Sequence, residues 1–237
     1  MTEQRLFLWD IDGTLLRGAA NVHRDAFAHA FSTVYHLPLS LNDIHTPGRT
    51  DTWLLLEALR RHGVDDDEAR RHMSEAFRVM EQYVRNHPQD LRSRVLPGVP
   101  GVLDGMRRRG HLLGLLSGNL RGIAMEKMRQ ARLAPYFAVG GFGEESETRT
   151  HLVAVALRDA DNSLGYRITA ERVVIVGDTP LDVEAARLAG TRSVGVATGQ
   201  YSSEQLRQAH ADAVLESLAD VDASLDVLTS VEYLTRR

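Results

Sequence analysis

Short apolar runs alternate with amphipathic segments over most of the chain, and this alternation is the main guide to its fold. Each run has the length of a strand, and the segments between runs carry apolar residues at helical spacing. The predicted strands are residues 6–9, 111–116, 136–142, 173–176, 193–197 and 213–215. The helices predicted between and after them are residues 100–109, 120–132, 150–160, 180–189 and 221–234. Such alternation predicts an α/β fold with a Rossmann-like open parallel sheet.

The pattern changes between residues 17 and 93, where no strand is predicted. Amphipathic helices are expected at residues 20–35, 53–61 and 69–84. Proline and glycine mark a loop at residues 37–51, and the acidic run at 65–68 is typical of a helix N-terminal cap rather than of a calcium site. We therefore interpret residues 17–93 as an all-helical cap domain, inserted into a catalytic core that comprises residues 1–16 and 94–237.

The composition of the 237-residue chain excludes some kinds of chemistry and favours one cellular location. The chain contains no cysteine, which excludes disulfides, thiolate zinc sites and a cysteine nucleophile, and which favours a cytoplasmic location. No long apolar segment precedes the first predicted strand, so we expect neither export nor a membrane partner. A net charge of −4 gives no electrostatic footprint for nucleic acid. The oligomeric state stays open.

The first predicted strand ends in two carboxylates, Asp10 and Asp12, and Gly13 follows them. Ligands of open α/β sheets bind outside the carboxyl ends of the strands, so these side chains lie where chemistry is expected. Alternation along an extended chain would place both carboxylates on one side, and Gly13 permits a sharp turn. Two such charges repel each other unless a cation or a shared proton relieves them. A strand that simply ends in a polar turn is the alternative.

Two later strand ends also carry polar groups. Ser117 and Gly118 precede a helix, a geometry that offers backbone N–H groups to an anion, although ordinary turns use the same residues. Asp178 and Asp182 follow the strand that is richest in β-branched residues. These groups would meet the first pair of carboxylates at one edge of the sheet.

Arg149 opens a predicted helix, where the helix dipole does not favour a cation. It therefore either has a role in a site or is a solvated arginine that pairs with Glu145 or Glu147. The stretch by itself favours the second interpretation.

Taken in chain order, these groups resemble the four motifs of the haloacid dehalogenase-like hydrolase superfamily, in its phosphatase branch with a small helical cap. Residues 10–14 resemble the first motif without departure, Ser117 resembles the second, and Asp178 with Asp182 resembles the fourth. The helical insertion is similar to the small cap of that superfamily. The resemblance therefore covers the whole chain.

The resemblance implies a Mg²⁺-dependent phosphoric monoester hydrolase that acts through an aspartyl-phosphate. Asp10 would be the nucleophile, and Asp12 would protonate the leaving alkoxide and then accept a proton from water. The metal ligands would be Asp10, the backbone carbonyl of Asp12, and Asp178, with Asp182 orienting the water shell. The groups that would hold the phosphoryl oxygens are Ser117, the Gly118 N–H and Arg149.

The third motif departs from the family pattern, which usually has a lysine there. Lys127 is the only lysine in the chain; it precedes the expected position and is expected on a helix face. Arg149 is the better candidate, because a guanidinium can neutralise the same phosphate charge, although its geometry differs from that of lysine. Arg187 is a poorer alternative.

The cap loop at residues 45–51 is the expected specificity element, because a loop on a lid can reach the site. Arg49 in this loop would bind a carboxylate or another anionic group of the substrate, or else it is a surface arginine paired with Asp51. In the first case, phosphoglycolate or another small phosphorylated acid would fit.

Other reactions of the superfamily fit the residues less well. Asp12 favours phosphoryl transfer over dehalogenation, because a leaving halide needs no proton, and a phosphonate-cleaving relative would use a lysine that the cap lacks. A sugar phosphomutase is an alternative, although it resembles members whose caps also bring a lysine to the phosphate. A catalytically silent binding module is another alternative, against which the intact pair of Asp10 and Asp12 argues.

Overall fold

The computed structural model describes residues 4–19 and 21–231, and within them it shows an open sheet of six parallel strands. The strands are β1 (Leu6–Trp9), β2 (Leu112–Leu116), β3 (Val139–Gly141), β4 (Val173–Gly177), β5 (Arg192–Val196) and β6 (Ala213–Leu215). Their spatial order is β3-β2-β1-β4-β5-β6, so β1 lies between β2 and β4. The predicted α/β Rossmann-like fold is confirmed.

The predicted insertion, residues 17–93, contains helices and most of a hydrophobic cluster, which also includes Leu120 and Ile123 of the core. Its helices are α1 (Asn21–Val34), α2 (Asp51–Arg61) and α3 (Asp66–Asn86). Asp65 caps α3 by accepting a hydrogen bond of 2.9 Å from the Asp67 N–H, as the acidic run predicts. The two segments that join the insertion to the sheet run side by side, and the Arg17 N–H donates a hydrogen bond of 2.8 Å to the Arg94 carbonyl where they meet. We propose that the boundaries between cap and core lie at this crossing.

The remaining helices cover both faces of the sheet. Successive residues of a strand point to opposite faces, so a strand can pack against helices on both sides. They are α4 (Val99–Arg108), α5 (Arg121–Gln130), α6 (Arg149–Leu164), α7 (Pro180–Ala189), α8 (Ser203–Gln208) and α9 (Val221–Ser230). Phe7 and Trp9 pack on the face covered by α4, α5 and α9, whereas Leu6 and Leu8 pack against α6 and α7. No helix in the described ranges is both long and apolar enough to cross a membrane.

Two predicted elements differ from the observed ones. The strand predicted at residues 136–142 is reduced to β3: its first residue lies in a 3₁₀ turn at Ala134–Tyr136, and at its end the Phe142 N–H donates to the Glu145 side chain at 2.9 Å. The helix predicted at residues 221–234 is observed as α9, and residues 232–234 lie outside the described part of the chain.

Candidate active site

The nucleophile candidate Asp10 directly follows β1, the central strand. Its N–H donates to the Val176 carbonyl of β4 at 2.9 Å, and its side chain is buried. After Asp12 the chain turns sharply at Gly13, whose φ of 105° is unfavourable for residues with a Cβ. A Cβ at Gly13 would also overlap the Asp178 carboxylate, so this glycine lets the end of β4 approach the end of β1.

Arg149 is buried at the start of α6 and points into the site. Its guanidinium donates hydrogen bonds to the Asp10 carboxylate and, at 2.8 Å, to the Leu116 carbonyl. Its Nε lies 2.7 Å from Oδ1 of Asp182, which completes an ion-pair cluster. This position explains why a cation opens the helix, since two carboxylates offset the unfavourable helix dipole.

The alternative interpretation of Arg149 as a solvated residue is wrong. Glu147 instead pairs with Arg60 and Arg70 of the cap, and Glu145 accepts a hydrogen bond of 2.9 Å from the Phe142 N–H. Arg187, the poorer alternative for the third motif, is exposed in the last turn of α7.

The two carboxylates that follow β4 have different partners. Asp178 accepts a hydrogen bond of 3.2 Å from the Thr14 hydroxyl and lines the same cavity as Asp10. Asp182 forms a capping box with Thr179 at the start of α7, accepting from its N–H at 3.0 Å and its hydroxyl at 2.8 Å. One oxygen of Asp182 thus holds the helix and the other faces Arg149.

Negative charge exceeds positive charge in this part of the site. Burial raises the pKa of Asp10 to about 7, against the opposing charge of Arg149. Burial and the neighbouring Asp10 carboxylate raise the pKa of Asp178 to about 9. Both groups hold a proton far more tightly than an ordinary carboxyl group does, so a bound cation would relieve the repulsion between them.

The donor atoms fit a hard divalent cation such as Mg²⁺. In the described part of the chain, no three histidine, aspartate or glutamate side chains are grouped so as to hold a metal ion. The ligand set expected from the resemblance does not require such a group, because it uses two carboxylates, of Asp10 and Asp178, and the backbone carbonyl of Asp12. Oxygen donors that carry an excess of negative charge are the ligands that Mg²⁺ prefers.

Asp12 does not share the partners of Asp10, although both line the cavity. Lys127 Nζ lies 2.6 and 2.9 Å from the two carboxylate oxygens of Asp12, and Asn119 Nδ2 donates to one of them at 2.8 Å. Burial would raise the pKa of Asp12, but the charge and hydrogen bond of Lys127 outweigh it and lower that pKa. Asp12 is therefore ionised. Because β1 ends at Trp9, the alternation of an extended strand does not govern these two carboxylates.

Lys127 lies on a helix face, as expected, but that face is buried and reaches the site, so leaving Lys127 out of the site was wrong. Its neighbours at helical spacing are Ile123 and Ala124, one turn before it on α5, and Ala131, one turn after it, all of them buried. A lone lysine within an apolar helical stripe was the signal in the sequence, because such a residue needs a buried partner. Asn119, which joins Lys127 to Asp12, was also missed.

The predicted phosphate-binding turn lies between the core and the cap. Gly118 and Asn119 line the cavity, whereas Ser117 is buried and its hydroxyl accepts a hydrogen bond of 2.7 Å from Asn119 Nδ2. The Gly118 carbonyl accepts from the Asp51 N–H of α2 at 2.7 Å. A Cβ at Gly118 would overlap the Arg49 carbonyl, so the glycine permits the cap to approach this closely.

The cavity between cap and core has a volume of about 520 Å³. The core contributes the acidic end, with Asp10, Asp12 and Asp178, and the cap contributes a mixed wall that includes Phe27 and Arg49. The cap is docked over this cavity, since the Thr52 hydroxyl of α2 donates to the Gly143 carbonyl at 2.6 Å. A cavity of this size can take a small phosphorylated metabolite.

Arg49 faces the cavity and does not pair with Asp51. Its guanidinium stacks on the Trp53 ring, 4.2 Å from the ring centre, and within the described structure its buried Nε has no hydrogen-bond partner. Asp51 instead contacts His23 Nε2 at 2.9 Å and the Leu120 N–H at 2.8 Å. The alternative of a surface pair is therefore wrong.

Comparisons with known proteins agree with this geometry. The family model of haloacid dehalogenase-like hydrolases matches residues 7–187. A phosphoglycolate phosphatase of Agrobacterium fabrum is 23% identical over 93% of this chain and 91% of its own length. A 5'-nucleotidase of Pseudomonas aeruginosa is 30% identical over 84% of this chain and 86% of its own length. The crystal structure of a β-phosphoglucomutase of Clostridium difficile has a TM-score of 0.71 at 16% identity, covering 98% of this chain and 99% of the other.

Fold, acidic strand ends and these likenesses together define a phosphoric monoester hydrolase. The chain belongs to the haloacid dehalogenase-like hydrolases, whose family model covers most of its length.

Proposed function

We propose that this hydrolase removes phosphate from a small phosphorylated metabolite in a Mg²⁺-dependent reaction that passes through an aspartyl-phosphate on Asp10. The observation that carries the proposal is the buried Asp10 carboxylate at the end of the central strand, held by Arg149 and facing a cavity that Asp178 also lines. A nucleophile in this position divides a difficult hydrolysis into two easier steps.

In the first step, an Asp10 oxygen attacks phosphorus and the leaving alkoxide departs with a proton. Asp10, the Asp12 carbonyl and Asp178 would hold Mg²⁺, which supplies positive charge against the repulsion between nucleophile and phosphate. Arg149 lies beside Asp10, where its guanidinium can stabilise charge on the phosphoryl oxygens. Ser117 and the Gly118 N–H would complete this cradle.

Asp12 is proposed as the group that moves protons. In the second step, its ionised form can accept a proton from the water that attacks phosphorus, while the bond between phosphorus and the Asp10 oxygen breaks and inorganic phosphate leaves. In the first step, Asp12 would pass a proton to the leaving alkoxide. Because the Asp12 carboxylate is ionised before substrate binds, this proton would have to come from the substrate. Asp182, which pairs with Arg149, would orient the water shell of the metal.

The first test is removal of the metal. Phosphatase activity of the purified protein on p-nitrophenyl phosphate is expected to be lost in EDTA, because without the metal the carboxylates at the acidic end of the cavity repel the phosphate. Excess Mg²⁺ should restore the activity, because it offsets this repulsion. NaCl of equal ionic strength is the control and should restore nothing. Mg²⁺ should also raise the Tm of the wild type more than that of Asp178→Asn. Full activity in EDTA would contradict the proposed role of the metal.

Arg49 directs the choice of substrate toward phosphorylated acids such as phosphoglycolate. Arg49 lines the cavity, and its guanidinium, which stacks on Trp53, has no carboxylate partner in the described structure and can pair with an anionic group on the substrate. The phosphoglycolate phosphatase relative supports the same class of substrate.

Replacing Arg49 with Ala should raise the KM for phosphoglycolate by about 10–100-fold, the cost of one lost charged hydrogen bond. The KM for p-nitrophenyl phosphate, whose leaving aryl group carries no second anionic group, should change much less. Steady-state kinetics on both substrates make the comparison, and Arg61→Ala, an exposed change in the same cap helix region, serves as the control. Equal effects on the two substrates would reject this role for Arg49.

A further inference from the structure

The side chain of Lys127 is 4% exposed and has three polar contacts. Its Nζ lies within 2.9 Å of both carboxylate oxygens of Asp12 and 2.7 Å from Oδ1 of Asn119. An ammonium group has three N–H donors and no acceptor, so these contacts use its full capacity. Burial of a charge without partners would be very costly, and this lysine therefore depends on Asp12 as much as Asp12 depends on it.

Asn119 shares in the same arrangement. Because Lys127 can only donate, the Asn119 amide oxygen faces it, and the Nδ2 group then faces Asp12 Oδ2 at 2.8 Å and the Ser117 hydroxyl at 2.7 Å. Lys127 thus fixes the orientation of the amide, and both residues fix the rotamer of the Asp12 carboxylate. The Asp12 side chain keeps 31% of its surface exposed, and it faces the cavity.

We propose that Lys127 is a positioning residue that acts through Asp12: with Asn119 it holds the Asp12 carboxylate at the wall of the cavity for proton transfer. This inference rests on the proposed function, in which Asp12 protonates the leaving group. It gives the single lysine of the chain a task separate from that of Arg149, which lies against Asp10. Lys127 thus holds Asp12, and Arg149 holds Asp10.

The test compares leaving groups. Lys127→Met removes the donors and keeps the length of the side chain, and it should lower kcat/KM for phosphoglycolate, whose alkoxide needs a proton, by about 10–100-fold. The loss for p-nitrophenyl phosphate should be much smaller, because its phenolate leaves without help. Arg129→Met, which breaks an exposed ion pair on the same helix, is the matched control and should change neither value. Thermal unfolding shows whether each variant folds, and Lys127→Gln, which keeps a donor amide, replaces the Met variant if the latter is unfolded.

A double-variant cycle separates this inference from the proposed function. If Lys127 acts through Asp12, the Lys127 substitution should cost little further activity in an Asp12→Asn background. The inference would be overturned if Lys127→Met lost equal activity on both substrates, or if it lost as much activity in the Asp12→Asn background as in the wild type. The proposed function would still be supported in that case if Asp12→Asn lost more activity on phosphoglycolate than on p-nitrophenyl phosphate. A loss in Asp12→Asn that ignores the leaving group would overturn both.

Discussion

Asp10→Asn is expected to abolish phosphatase activity and to leave the fold intact. An amide oxygen cannot form the proposed aspartyl-phosphate, so kcat should fall by about 10⁴-fold or more, the scale seen when a nucleophile is removed from a unit of catalytic residues. Asn keeps the shape of the side chain and can still accept the hydrogen bond that Arg149 donates. Initial rates on p-nitrophenyl phosphate measure the effect. The control is Asp90→Asn, which changes an exposed aspartate outside the cavity. Substantial turnover by Asp10→Asn would contradict the covalent mechanism.

The same variant should reveal the electrostatic cost of the site in the absence of divalent ions. The pKa of Asp10 rises from its ordinary value of 3.8 to about 7 in the folded protein, so the folded state binds the proton more tightly than the unfolded state. The contribution of Asp10 to stability is therefore complete below about pH 4 and is lost as pH rises through about 7. Asn does not titrate, and the Tm of Asp10→Asn should gain on that of the wild type across this range. Parallel Tm values from pH 4 to 8 would contradict the raised pKa.

Strand ends carried most of the information that the sequence held about the site. Asp10 and Asp178 could be placed because the carboxyl ends of parallel strands meet at one edge, and both line one cavity. Arg149 could be proposed only from the order of the motifs, since its local sequence favoured a solvated residue. The observed contacts with Asp10 and Asp182 are long-range, and no local pattern reports such contacts.

The partners of Asp12 could not be predicted from the sequence either, because they too are far from it in the chain. Lys127 is 115 residues from Asp12 in the chain, and the position of α5 against the end of β1 brings them together. The apolar spacing around Lys127 could have shown that the lysine is buried, but not which carboxylate it meets. Docking of the cap likewise decides that Asp51 contacts His23 and the Leu120 N–H rather than Arg49.

Arg149→Met is expected to reduce both stability and activity. The guanidinium is buried between Asp10 and Asp182, and removal of one partner from a buried ion pair typically costs about 3–5 kcal/mol of unfolding free energy. The loss should be smaller at pH 5 than at pH 8, because carboxyl groups whose pKa values are already raised become protonated at the lower pH and no longer need the cation. Denaturant unfolding at both pH values measures this difference.

The kinetic consequence of Arg149→Met separates its proposed catalytic role from its structural one. Loss of a donor to the phosphoryl oxygens should lower kcat by about 100–1,000-fold in protein that is still folded at the assay temperature. Arg149→Lys restores a charge but not the planar fork that reaches Asp10, Asp182 and the Leu116 carbonyl together, so it should recover part of the stability and part of kcat. Arg158→Met changes an exposed arginine of the same helix and should match the wild type in both measurements. If the Met variant folds and turns over at the wild-type rate, the arginine only holds the carboxylates together and does not act on the phosphate.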